Sequence, residues 1–165
     1  MTSLAFLSPA RCDPESLSSP LARALDSVDP SVVEDLSLVG KVELRGDLGL
    51  VEPTPGEELV RLSPRRGLLL TSDPLDAVER VRAEGVLGYD ATGALAGFAV
   101  AGEQLMRRLT DLDLDGLPAA GPFARVTAIV VRDDGARFRV YVAQELGHDV
   151  VHAVLDAHAG LENGA

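Results

Sequence analysis

Cysteine is almost missing from this chain. Cys12 stands alone, so no internal bridge can form, and a secreted disulfide scaffold is excluded. A reducing cytoplasm is the compartment this usage fits. Tryptophan is absent, and of the 15 basic residues only Lys41 is a lysine, a bias of the kind a GC-rich genome produces. Positive charge is scarce as well: 26 acidic side chains leave a net charge of −11, which argues against a surface that neutralises phosphate backbones. Nucleic acid is not an expected partner. Long apolar runs are also missing. The longest weakly polar stretch, Ala91 to Gly102, falls well short of the ~20 residues of a membrane span, so no membrane association is expected. Met1 to Pro9 lacks the basic n-region and the apolar length of an export signal.

Catalytic signatures are lacking too. Gly93, Gly97 and Gly102 do not have the spacing of a dinucleotide fingerprint, and no Gly-Lys-Ser/Thr phosphate loop occurs. No serine sits in a nucleophile elbow, and none follows Ser72. Asp111, Asp113 and Asp115 followed by Gly116 open like a calcium loop. Its twelfth position, however, is Pro122 instead of a bidentate glutamate, and Leu112 and Leu114 read as packing residues. The reading is a solvated acidic loop.

What is present is enough for a core. The chain has 165 residues, 46% apolar and 25% charged, and a chain of this length buries roughly 70% of its unfolded surface without a metal or disulfide. Residues 1–35 are interrupted by Pro9, Pro14, Pro20 and Pro30 and read as a lead-in arm with one short helix near Leu21 to Leu25. A single domain is expected over 36–160, with 161–165 as a tail. Leu38 to Leu44 reads as a strand. Leu59 to Leu62 and Leu68 to Thr71 form a hairpin, and a helix follows with Ser72 or Asp73 as cap, Pro74 in its first turn and Gly85 at its end. Asp76 and Arg80 are spaced to pair across one turn of it.

Ala91 to Ala101 reads as a strand, followed by a helix that turns Leu105, Met106 and Leu109 inward. Val126 to Arg132 and Phe138 to Ala143 form a second hairpin through Asp133-Asp134-Gly135. In its second strand Phe138, Val140 and Val142 alternate with Arg137, Arg139 and Tyr141, so one face is expected to be wet. The last helix, about Glu145 to Ala159, carries the stripe Leu146, Val150, Val151, Val154 and Leu155 and ends at Gly160. Two hairpin-then-helix units, 59–84 and 126–159, make a pseudo-repeat. The order β-α-β-β-α of the second half predicts an α+β fold, antiparallel sheets with helices on one face and ferredoxin-like halves.

Two surface features stand out. His148, Asp149, His152 and Asp156 share the polar face of the last helix. Imidazoles four residues apart can chelate a metal, with His148, His152 and Asp156 as the candidate ligands, but a closed site needs four and no distal ligand is evident. No metal site is therefore assigned, and the helix reads as a polar surface. His158 falls on the apolar stripe, as a partly buried, hydrogen-bonded histidine. Arg61, Arg65 and Arg66 make a basic spot on the first hairpin of an acidic molecule, a candidate partner contact because guanidinium groups are enriched at interfaces.

Several segments resemble a known family. Gly88-Tyr89-Asp90-Ala91-Thr92-Gly93, Ala99-Val100-Ala101-Gly102, Glu103 to Leu109, Thr110 to Leu114 and Phe138-Arg139-Val140-Tyr141-Val142 resemble the gamma subunit of heterotetrameric sarcosine oxidase, as does Ser19-Pro20-Leu21-Ala22. Asp35-Leu36-Ser37 and Lys41 to Gly46 are similar to the early strand of the glycine-cleavage T-protein, whose folate-binding domain shares that fold. The resemblance spans about 19–160. It implies a non-catalytic accessory subunit of a cytoplasmic flavoenzyme complex that oxidatively demethylates sarcosine or a related N-methyl amine. FAD, FMN, NAD and tetrahydrofolate would then be held by the larger flavoprotein subunits and none by this chain. The alternative is a stand-alone folate-binding or one-carbon-transfer protein. Against it, the paired acids that folate-using relatives carry after a Gly-Gly turn are not matched at Val131 to Gly135, where the acids lie in the turn itself. A helix of the family after Gly46 is replaced here by a short connection.

Overall fold

The computed structural model describes residues 18–163. Cys12, Pro9, Pro14 and the rest of the expected arm up to residue 17 lie outside the described residues. The elements are α1 (Ala22–Leu25), β1 (Val33–Asp35), β2 (Gly40–Arg45), β3 (Glu58–Ser63), β4 (Arg66–Thr71), α2 (Pro74–Ala83), β5 (Leu87–Asp90), β6 (Leu95–Ala101), α3 (Glu103–Leu109), β7 (Ala119–Phe123), β8 (Val126–Arg132), β9 (Arg137–Ala143) and α4 (Gly147–Glu162). Short 3-10 turns cover Leu48–Leu50, Leu114–Gly116 and Gln144–Leu146.

These elements make two antiparallel sheets, ordered β1-β6-β9-β8-β7 and β3-β4-β2-β5. The expected α+β class is the observed one, and the two halves follow one plan. In the four-stranded sheet β2 and β3 flank β4, with β5 beside β2. In the five-stranded sheet β6 and β8 flank β9, with β1 beside β6. That is the split arrangement of a ferredoxin-like half, in which a later strand inserts between two earlier ones. The halves differ in their first crossover: α3 follows β6, whereas β2 is followed by the turn Leu48–Leu50, whose Leu48 is fully buried against α2 and its sheet.

Burial follows from strand alternation. Ala96, Phe98, Val100, Phe138, Val140 and Val142 point to one face of the five-stranded sheet, where Leu21, Leu105, Met106, Val150, Val151 and Val154 of the helical side complete the largest core. On the four-stranded sheet Val42, Leu44 and Leu69 meet Ala77, Val78 and Val81 of α2. The remaining faces meet each other, with Val60, Leu68 and Leu70 of one sheet against Val131 and Tyr141 of the other. The result is helix, sheet, sheet, helix. Each sheet carries helices on one face and the other sheet on its second.

This layering corrects the expectation of a wet face on β9. Tyr141 is 1% exposed, and only 13% of the Arg139 side chain is exposed. Gly97 on β6 lets Tyr141 lie flat, since a Cβ there would come within 2.9 Å of the Tyr141 ring carbons. Arg139 reaches Glu58 of β3 through both Nη atoms at 2.8 and 2.7 Å, and its Nε donates to Asp133 at 2.7 Å. A guanidinium forked onto a carboxylate satisfies a polar side chain inside the sheet-to-sheet layer. Alternation alone does not distinguish such a layer from water.

Other expectations shift as well. The short helix expected near Leu21 to Leu25 is present as α1, but the segment read as an arm is built into the fold: Leu21 is fully buried, and the segment adds β1, paired with β6 from Val33↔Val100 to Asp35↔Phe98. Of the strand expected over 91–101 only Leu95–Ala101 is strand, β6; β5 precedes it, across a turn in which Asp90 Oδ1 accepts from Thr92 N at 2.9 Å. Asp73, not Ser72, caps α2, accepting from Asp76 N at 3.1 Å. Arg80 pairs with Glu57 and donates to the Glu52 carbonyl, so the expected Asp76 to Arg80 bridge does not form. Helix α4 runs past Gly160 to Glu162. In the acidic loop Leu114 is buried and Asp113 caps its turn by accepting from Asp115 N.

Candidate partner-docking site

The four-stranded sheet extends beyond its cover at the β5 edge. On its sheet-facing side β2 alternates Lys41, Glu43 and Arg45, and the register sets Arg45 between Arg66 of β4 and Leu87 of β5, with Glu43 beside Tyr89. Arg45, Arg65, Arg66, Gly46 and Leu87 line an open hollow of about 270 Å³. Glu43 holds two of these cations, Arg45 at 3.0 Å and Arg66 at 3.3 Å, while Arg65 has no acidic partner among the described residues. Three arginines, two of them held by one carboxylate, make a cationic spot on a molecule of net charge −11.

Apolar surface adjoins it. Leu87 is 55% and Tyr89 48% exposed on β5. The edge itself is closed to strand addition, because Arg82 of α2 wraps round it, donates to the Gly88 carbonyl at 2.8 Å and lies over the Tyr89 ring. A partner meeting this face does so through side chains and not by extending the sheet.

Of the three arginines singled out from the sequence, Arg65 and Arg66 come together here. Arg61 does not: it shares its face of β3 with Leu59, which packs on the α2 side, whereas Arg66 alternates with Leu68 and Leu70 toward the other sheet. Arg45 takes its place. The register of β2 against β4, not proximity in sequence, brings Arg45 in.

Lys41 lies on the same face, one row beyond Glu43, and is fully buried. Its Nζ donates to the carbonyls of Ser37 at 2.8 Å and Val39 at 2.6 Å, pinning the turn by which the chain passes from one sheet to the other. Burial pushes its pKa down to about 8, against the opposing pull of Asp35 and Asp90.

On α4, His148 and His152 bring their Nε2 atoms to 3.1 Å, and both are exposed. Asp156 is exposed one turn further along, and no group of three or more potential ligands converges among the described residues. His158 is partly buried, its Nδ1 3.8 Å from Glu162 Oε2. It lines a broad open cleft of about 630 Å³ with Gly102, Glu103, Arg132, Gly135 and Leu161. Arg132 there is tied to Glu103 and Asp115. None of the described helices is long and apolar enough to cross a membrane.

The class this architecture defines is an α+β chain built from two ferredoxin-like halves packed sheet to sheet. A solved structure of the same class is a chain of the heterotetrameric sarcosine oxidase from Corynebacterium sp. U-96 in complex with pyrrole 2-carboxylate. It superposes with a TM-score of 0.74 at 13% sequence identity, over 87% of this chain and 95% of that one. The two share a fold, over nearly their whole lengths. No family model matches the chain, and no curated protein matches it.

Proposed function

We propose that this chain is a non-catalytic accessory subunit, of the gamma kind, in a sarcosine oxidase-like complex that oxidatively demethylates sarcosine or a related N-methyl amine. The observation that carries this reading is the fold shared end to end with a chain of a heterotetrameric sarcosine oxidase. The docking geometry supports it. Arg45, Arg65 and Arg66 beside exposed Leu87 and Tyr89 suit an acidic, apolar-centred surface on a larger flavoprotein subunit. In this reading the flavins, NAD and tetrahydrofolate belong to the larger subunits, and this chain contributes surface and stability.

Purification of the tagged chain from its native host tests the proposal. The expected result is co-elution with a larger protein that shows flavin absorbance and oxidises sarcosine or another N-methyl amine. Elution of the chain alone would contradict it, as would sarcosine oxidation or micromolar tetrahydrofolate binding by the isolated chain.

A further inference from the structure

The geometry points to a divalent transition-metal site on α4, formed by Nε2 of His148 and Nε2 of His152. We infer that these two imidazoles act as a bidentate chelate for a borderline cation of the zinc, nickel or copper class. The two residues lie four apart on a sixteen-residue helix, so the backbone stacks their rings on successive turns. The ring centroids are 4.5 Å apart, the rings stand edge to face, and the two Nε2 atoms lie 3.1 Å from each other.

The separation is the informative quantity. Metal–imidazole bonds of roughly 2.0–2.1 Å from one ion to two nitrogens 3.1 Å apart subtend about 100°, between the right angle of octahedral or square-planar coordination and the tetrahedral angle. The bite is therefore set before a metal arrives. A hydrogen bond across this distance needs one ring to carry its proton on Nε2 and the other to accept. Coordination requires only that the donor ring shift its proton to Nδ1, so that both Nε2 lone pairs face the ion. Both residues are exposed, leaving the other coordination positions open to water. Imidazole pairs favour this class of cation over calcium or magnesium, which take oxygen ligands. Exposed Asp149 and Asp156 on the same helix add negative potential without being ligands.

Zinc titration of the purified chain, followed through its three histidine Cε1–H resonances and by calorimetry, tests the site. One Zn²⁺ per chain is expected. The His148 and His152 resonances move together, and His158, which is elsewhere on the helix, serves as an internal reference. His148→Ala and His152→Ala, both at exposed positions, each weaken binding at least tenfold, and Mg²⁺ moves neither resonance. The inference is overturned if millimolar Zn²⁺ moves neither histidine, if His158 responds as strongly as the pair, or if either variant keeps the parent affinity. The outcome is independent of whether a flavoprotein partner is found.

Discussion

Lys41, the chain's one lysine, sits in the interior as a clamp on the turn between the two sheets. Because burial depresses its pKa, the unfolded chain holds more protons than the folded one between about pH 8 and the ordinary lysine value of 10.5. Stability therefore rises with pH across that window, by at most about 1 kcal/mol per pH unit from this group. Urea midpoints measured from pH 7 to 10.5 should show the rise, and Lys41→Met should remove it. The same substitution leaves the Ser37 and Val39 carbonyls without their donor, at a cost of about 1–3 kcal/mol for a buried unpaired group, offset in part by no longer burying a charge. An identical pH slope in the variant would show that another group carries the linkage. Nothing in the sequence around Lys41 marks it as buried. A lysine in a strand of an acidic chain reads as exposed until the second sheet is in place. Arg45 was hidden for a related reason: its neighbours Arg65 and Arg66 are adjacent across strands, not along the chain.

At the scale of elements, the hairpins β3–β4 and β8–β9 and the helices α2 and α4 were readable because each carries its own local physics. Asp133-Asp134-Gly135 supplies the turn, with Gly135 at φ 74°, and Asp73-Pro74 supplies the start of α2. The strands β1, β5 and β7 were not readable. They are three to five residues long, lie at sheet edges, and contain Asp, Gly or Pro, so their identity comes from the partner strand and not from their own pattern. The face of β9 was misread because Arg137, Arg139 and Tyr141 look like solvent-facing residues. Glu58, eighty-one positions away in sequence, is what makes Arg139 suited to a layer between sheets. That pairing is open to measurement. A double-mutant cycle of Arg139→Ala and Glu58→Ala should give a coupling of about 1 kcal/mol, because one partner is largely buried while half of the other is exposed. A coupling near zero would mean that the fork adds nothing to holding the sheets together, and that the Val60, Leu68, Leu70, Val131 and Tyr141 contact does so alone.

For the whole molecule, two repeated halves pack into four layers and leave a cationic, partly apolar end on a strongly anionic body. Charge of one sign over most of the surface disfavours self-association, while a local reversal of sign gives an oppositely charged partner a defined place to approach. The candidate site was half legible, in that two of its three arginines were evident on the hairpin and the third depended on register. The central claim is that this chain docks through that end onto a larger flavoprotein. The direct test is an affinity measurement between the separated chain and its co-purified flavoprotein partner, comparing the parent with the exposed double variant Arg65→Glu/Arg66→Glu, whose fold is checked by circular dichroism. The account predicts saturable binding of the parent that weakens with salt, and at least a tenfold loss in the variant. Equal affinity of the two proteins, with no dependence on salt, would contradict it.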